Sequence, residues 1–99
     1  MKALSVRWSS KADQEYFELI VKVQEKWGDL SAQKLAARVM AAEKLIARYP
    51  HLFQKCEARP YARKCVVTPQ TSMYYIVEVN EITIVSVFDN RQDPTKLAV

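Results

Sequence analysis

A single glycine, Gly28, is the feature that most limits what this 99-residue chain can become. Dinucleotide-binding folds and phosphate-binding loops need several glycines where the backbone approaches phosphate. A hydrolase nucleophile elbow needs glycines on both sides of its serine. Nucleotide-driven chemistry and hydrolase-type catalysis are therefore largely excluded. The length predicts one domain over residues 1–99, large enough to form a core without metal or disulfide support.

Two amphipathic helices are predicted in the first half of the chain. The stretch Ser10–Asp13 has the spacing of a capping serine followed by an acidic residue three positions later, and Gly28 stands where a helix ends. A second helix is predicted to begin after Ser31 and to end at Pro50. Because the link is short, the two helices should form an antiparallel hairpin. The predicted core positions are Tyr16, Ile20, Val23 and Trp27, then Leu35, Val39, Ala42, Ile46 and Tyr49.

The sequence period changes to that of β-strands on both sides of this hairpin. Residues 2–8 alternate between apolar and polar side chains, which predicts a half-buried strand. Three further strands are predicted at Arg63–Thr68, Met73–Val79 and Ile82–Phe88. The order β-α-α-β-β-β predicts an α+β fold, in which an antiparallel sheet of about four strands carries the N-terminal helical hairpin on one face.

The predicted strands are apolar on both faces. Ile82 and Ile84 point one way, whereas Val85 and Val87 point the other. A sheet covered by helices on one side only should alternate apolar with polar residues. The tail after Pro94 is too short to cover a second face. The face of the sheet that the helices leave uncovered is therefore expected to be an apolar surface that binds a partner. Two alternatives stay open: helices on both sides of the sheet, or a homodimer that closes it.

Positive charge is concentrated in one segment. The formal net charge is +4, and most of it comes from Lys55, Arg59, Arg63 and Lys64, which oppose only Glu57. This cluster permits an anionic partner, and it makes Lys55 and Arg59 candidate target-binding residues. A solvated basic loop is the alternative interpretation.

Cysteine and histidine usage points to no metal site and no cofactor. Cys56 and Cys65 do not form a CxxC pair, and His51 has no companion ligands at a recognisable spacing. Buried or half-buried thiols in a reducing compartment are the expectation. No apolar run approaches the length of a membrane span or a signal peptide, so a cytoplasmic protein is expected.

Several motifs, taken in order, resemble the RelE/ParE family of bacterial toxins. A first strand ends near Trp8-Ser9, one helix ends at Lys26-Trp27-Gly28, and an alanine-rich helix ends at Tyr49-Pro50. The segment Ala62–Val67 is similar to the family's second strand, which an arginine often opens. A tyrosine-rich hairpin then closes in Phe88-Asp89-Asn90-Arg91-Gln92-Asp93-Pro94, which resembles the family's Phe-Asp-X-Arg-Gln-X-Pro signature. The resemblance covers nearly the whole chain.

The resemblance implies the toxin component of a type II toxin–antitoxin system, of the kind linked to plasmid stabilisation. Such a toxin inhibits growth when free and is neutralised when its cognate antitoxin wraps it with a helix and often a strand. The implied targets are DNA gyrase, or the ribosome with its messenger RNA. A homodimer or a heterotetramer with the antitoxin is the implied assembly.

The same resemblance marks Arg91, Arg63, Lys64 and Tyr74 as the positions that contact the target or carry catalysis. Ribonuclease members carry an arginine where this sequence has Tyr74, and a histidine or tyrosine at the C-terminus, where this chain ends Lys96–Val99. The expected catalytic set for messenger RNA cleavage is therefore incomplete, which favours gyrase-directed action.

Alternative interpretations accompany these residues. Arg91 can simply pair with Asp89 and Asp93 to hold the turn. Of Tyr74 and Tyr75, one should pack in the core and the other should lie on the opposite, exposed face, because neighbours in a strand point oppositely. At the level of the whole chain, a non-toxic protein-interaction module on the same fold and a general RNA-binding domain remain as alternative functions.

Overall fold

A computed structural model describes residues 3–57, 59–92 and 97 of the chain. Its elements follow the predicted order and confirm the α+β fold class. The strands are β1 (Ser5–Trp8), β2 (Arg63–Thr68), β3 (Thr71–Val77) and β4 (Glu81–Asp89), and the helices are α1 (Ser10–Trp27) and α2 (Asp29–Arg48). Within these described residues, no helix is long and apolar enough to cross a membrane.

Gly28 alone joins the two helices. Its backbone lies at φ 92° and ψ 172°, a region that essentially only glycine occupies, and its N–H donates to the carbonyl of Gln24. The chain therefore reverses in one residue, and α2 starts at Asp29 rather than after Ser31 as predicted. The start of α1 also differs by one residue. Ser9, not Ser10, is the cap, because the Ser9 Oγ accepts a hydrogen bond from the Ala12 N–H at 3.0 Å.

We expect Gly28→Ala to lower the free energy of unfolding by about 1–2 kcal/mol, because an L-residue is strained at this φ and ψ. No atom lies within 4 Å of the position that a Cβ would occupy, so the loss would come from the backbone rather than from a clash. Urea unfolding followed by circular dichroism measures it. Gln33→Ala on the exposed surface of α2 is the control, and an unchanged midpoint for Gly28→Ala would contradict the prediction.

The four strands form one sheet in the order β1-β4-β3-β2. The β2–β3–β4 meander is antiparallel, as expected, while β1 joins its edge parallel to β4, so that the sheet is mixed. β3 begins at Thr71 rather than Met73, because Thr71 pairs with both Thr68 and Asp89 and leaves only Pro69 and Gln70 in the turn. It ends at Val77, two residues before the predicted Val79.

A β-bulge in β4 changes which side chains reach the core. Tyr74 pairs with Ser86 and Tyr75 pairs with Ile84, so Val85 is the extra residue between them. The bulge turns Val87 to the same side as Ile84, whereas strict alternation predicts opposite sides. The prediction that Val87 points to the opposite side from Ile82 and Ile84 is therefore wrong.

Both helices pack against the same face of the sheet, so they do not enclose it from two sides. The buried cluster between them contains Ala12, Leu35, Val39, Ala42, Ile46, Cys65, Met73, Tyr75, Ile82, Ile84 and Val87. On the other face, which we call the outer face, Ser72, Tyr74 and Phe88 are nevertheless buried. The loop at residues 52–57 and Leu97 line a groove with Tyr74 there. The prediction that the tail cannot cover this face concerns residues that, apart from Leu97, lie outside the described part of the chain.

Candidate functional site

Four of the six predicted site residues meet at a groove on the outer face. Lys64 and Tyr74 are paired across β2 and β3, which places their side chains on the same side of the sheet. Lys55 and Arg59 approach from the preceding loop. The groove has a volume of about 670 Å³, and its lining residues are Leu52, Phe53, Gln54, Lys55, Cys56, Glu57, Arg59, Lys64, Val66, Tyr74 and Leu97.

Tyr74 forms part of the floor of this groove. Its side chain is 4% exposed, and its ring meets Phe88 edge to face with 6.5 Å between centroids. Burial raises the pKa of the Tyr74 phenol, and the nearby Cys56 thiol raises that pKa further. The phenol is therefore protonated at neutral pH and offers a packing surface and a proton donor rather than a base. Its neighbour Tyr75 is also fully buried, so the expectation that one of the two tyrosines is exposed is wrong.

Arg63 lies on the opposite side of β2 from Lys64. It pairs with Tyr75, which belongs to the core between helices and sheet. The Arg63 guanidinium donates to the carbonyl of Phe53 at 2.7 Å, and an isolated bridge joins Arg63 to Lys55. These contacts fasten the loop before β2 to the edge of the sheet. The sequence places Arg63 and Lys64 side by side, but the strand separates their side chains.

Arg59 is held within the loop. Its guanidinium donates to the carbonyl of Leu97 at 3.5 Å, and the residue is half-buried. It therefore lies at the groove wall where the loop meets Leu97, rather than extending freely into solvent.

Arg91 follows β4 and is tied to Asp89. Its Nε and Nη2 donate to the two carboxylate oxygens of Asp89 at 3.1 Å each, and its backbone N–H donates to Oδ1 at 2.9 Å. These bonds lower the pKa of Asp89, with the hydrogen bond from the Arg91 side chain as the largest cause. The pairing with Asp89 agrees with the alternative considered from the sequence, while Asp93 lies outside the described residues. The Arg91 side chain remains largely exposed.

A second groove, on the helix side of the sheet, contains Arg91. It has a volume of about 370 Å³ between the helical hairpin and the β2–β3 turn. Lys34 and Arg38 of α2 line it with Arg91, and no carboxylate is among those of its lining residues that the structure describes. Lys34 and Arg38 were not among the residues predicted from the sequence. The sequence pattern that could have indicated them is the set of basic residues on α2 outside its apolar stripe. An ordinary solvent-exposed helix face has the same pattern.

The two cysteines occupy different environments. Cys65 is 2% exposed in the core, and burial raises the pKa of its thiol to about 11, whereas Cys56 is half-buried at the outer-face groove. No group of three or more His, Cys, Asp or Glu residues within the described ranges is arranged to hold a metal ion.

We expect a disulfide reagent at pH 8 to react with one thiol of the native protein, Cys56, because Cys65 is protonated and inaccessible at that pH. Both thiols should react after unfolding. Absorbance from the released thiol of Ellman's reagent measures both reactions. Cys56→Ser should remove the native reaction and Cys65→Ser should leave it, and the reverse pattern would contradict the assignment.

A family model and several solved structures match this chain. Residues 6–94 match the family described as the ParE toxin of the parDE type II toxin–antitoxin system. No curated protein sequence gives a significant match. Among solved structures, the chain resembles a chromosomal ParDE toxin–antitoxin system from P. aeruginosa, with a TM-score of 0.77 and 17% identity over 88% of this chain and 96% of that one.

Two further structures share the fold. A YoeB/ParE toxin from Agrobacterium tumefaciens gives a TM-score of 0.65 at 9% identity, covering 87% of this chain and 98% of that one. A YoeB dimer from Staphylococcus aureus gives 0.59 at 19% identity, covering 88% and 97%. Because the family match spans nearly all of the sequence, the chain belongs to the ParE toxin family of type II toxin–antitoxin systems, within the RelE/ParE group.

Proposed function

We propose that this toxin arrests bacterial growth by acting on DNA gyrase and that a cognate antitoxin neutralises it. The observation that carries the choice of target is the separation of the predicted catalytic residues. Lys64 and Tyr74 line the outer-face groove, Arg63 is turned to the other side of β2, and Arg91 lines the second groove with α2.

This separation disfavours messenger RNA cleavage. In-line cleavage needs a base for the ribose 2′-hydroxyl, cations around the charged phosphorane and an acid for the leaving oxygen, all within reach of one phosphate. Tyr74 has a raised pKa and cannot serve as the base at neutral pH. Glu57 is the one carboxylate among the described lining residues of the outer-face groove. Of the three predicted arginines, Arg59 lines this groove, whereas Arg63 and Arg91 do not.

Two features of the outer face support antitoxin binding. Val66 is 57% exposed beside the groove, so apolar surface is available to a partner side chain. β2 is an edge strand of the sheet. The preceding loop already bonds this edge as far as Lys64, through the Lys55–Arg63 bridge and the bond from the Lys64 N–H to the Gln54 carbonyl. The edge beyond Lys64 can accept an added strand. The structural likeness to a ParDE system, whose name includes both toxin and antitoxin, supports the same partner class. We propose Lys55, Arg59, Lys64 and Tyr74 as the residues that line this interface.

Induction of the gene alone and together with its neighbouring small gene tests the proposal. We expect growth arrest with filamentous cells in the first case and normal growth in the second. Purified toxin should inhibit supercoiling by purified gyrase, and preincubation with the antitoxin should prevent the inhibition.

Two results would contradict the gyrase assignment. One is cleavage of messenger RNA in a purified translation system, with loss of that activity in Glu57→Gln. The other is unimpaired growth at confirmed expression of folded protein, which together with tight binding of the neighbouring gene product would identify a non-toxic interaction module.

A further inference from the structure

The exposed side of α2 carries four basic side chains. Lys34, Arg38, Lys44 and Arg48 are all exposed, and none of them forms an ion pair with a carboxylate in the described part of the chain. We call this set the α2 basic face. Unpaired cations along one helix produce a positive potential that pairing would otherwise cancel.

The two acidic residues of α2 do not neutralise this face. Asp29 lies in the first turn and accepts a hydrogen bond from the Gln24 amide at 2.7 Å. Glu43 is half-buried and accepts from the Trp8 indole N–H at 2.7 Å, so its charge is directed toward β1. Helix α1 has the opposite balance, with three lysines against four carboxylates. The positive charge is therefore a property of one helix and not of the whole hairpin.

The spacing of the α2 basic face matches an extended polyanion. Lys34, Arg38 and Arg48 follow one line along the helix at positions i, i+4 and i+14, and Lys44 lies one turn before Arg48. At 1.5 Å per residue the line is about 21 Å long, comparable with six base pairs of duplex DNA. Two small exposed residues, Ala37 and Ala41, lie between the cations, so that a phosphate backbone can approach the helix.

The second groove extends the same surface toward the end of the sheet. Lys34 and Arg38 line it together with Arg91, and Ser31 and Gln70 supply polar side chains beside them. Phosphate contacts in nucleic-acid complexes come from such Arg, Lys, Ser and Gln side chains. Between the cations, α2 exposes Met40 and Leu45 as well as the two alanines. An acidic protein partner would use such apolar anchors, so that partner is the alternative outcome of the test below.

We propose that the α2 basic face, with Arg91 at its end, binds the phosphate backbone of duplex DNA. The proposal rests on the proposed function, because gyrase acts on DNA and a toxin bound there lies close to the duplex. The contacts would be independent of base sequence, since phosphate contacts position a protein without reading bases.

Fluorescence anisotropy of a labelled duplex oligonucleotide with the purified toxin tests this inference without gyrase or growth. Wild-type affinity should fall steeply with salt, and in Lys34→Ala and Arg38→Ala the slope of log K against log salt should become shallower by about 1 each. Both positions are exposed on a helix, where alanine is favourable, so the variants should fold. Arg7→Ala on β1 is the matched control, and its slope should stay at the wild-type value.

Two results would overturn the inference. In one, Arg38→Ala and Arg7→Ala lose the same amount of DNA affinity. In the other, Arg38→Ala weakens the complex with the antitoxin several-fold and leaves DNA binding unchanged, which would assign the face to an acidic protein segment. DNA binding through α2 by a protein that does not arrest growth would support the inference and contradict only the proposed function.

Discussion

Arg91→Ala is expected to abolish growth inhibition while the protein stays folded. The Arg91 guanidinium is exposed and is aligned by two hydrogen bonds to Asp89, so it presents a fixed positive charge at the end of the sheet. Its removal would leave the second groove with Lys34 and Arg38 as its cations. Because the hydrogen bond from the Arg91 side chain lowers the pKa of Asp89, the carboxylate is charged at neutral pH and the pair persists there.

Growth after induction, together with thermal unfolding of the purified variant, measures this effect. Arg7→Ala is the matched control, since Arg7 is also exposed and also pairs with a carboxylate, that of Glu81 at 3.6 Å. Asp89→Asn keeps Arg91 but removes the carboxylate charge that aligns its guanidinium. This variant should lower toxicity less than Arg91→Ala does, because the positive charge is still present. Full toxicity of soluble, folded Arg91→Ala would remove Arg91 from the target-contacting surface.

Glu15→Ala is expected to destabilise the protein by about 2 kcal/mol, because it leaves buried donors without an acceptor. The Oε1 of Glu15 accepts from the Ser86 hydroxyl at 2.8 Å and from the backbone N–H of Val87 at 3.2 Å. The last residue of β1, Trp8, pairs with Ile84, so β4 beyond Ile84 has no strand on its β1 side. There the Glu15 carboxylate accepts the hydrogen bond that a neighbouring strand would otherwise accept. Ser86 is fully buried and has little access to water as a substitute.

Urea unfolding at pH 7 measures this loss. Glu18→Ala, one turn later on α1, is the control, because Glu18 is exposed and its bond is to the exposed amide of Gln14. That variant should change the free energy of unfolding by less than about 0.5 kcal/mol. Equal losses in the two variants would show that Glu15 acts through general helix charge rather than as the acceptor for β4.

Local chemistry in the sequence was enough to predict the elements and their order. The spacing of apolar residues is 3.6 in the helices and 2 in the strands, and this difference separates the two kinds of element. The only glycine of the sequence marks the point where one helix meets the next. β2 was predicted with its observed bounds, since Pro69 ends it at a residue that cannot continue the ladder. Errors of one to three residues at the other ends arose where capping and strand pairing depend on neighbours that are distant in the chain.

The arrangement of the candidate sites required the tertiary structure. Periodicity describes one strand at a time, whereas a bulge is created between two strands, so the side on which Val87 lies could not be predicted from β4 alone. In the same way, Lys64 and Arg63 are neighbours in sequence but belong to different sides of the sheet.

The sequence by itself determined the class of fold, the family and the exclusion of glycine-dependent chemistry, because these depend on composition, local periodicity and the order of motifs. Only the tertiary structure showed that Arg91 shares a groove with Lys34 and Arg38 while Tyr74 shares another with Lys64. The physical reason is that helix packing and strand pairing bring together side chains that are far apart in the chain. This packing is driven by the burial of apolar area, which does not depend on which charged side chains become neighbours on the surface.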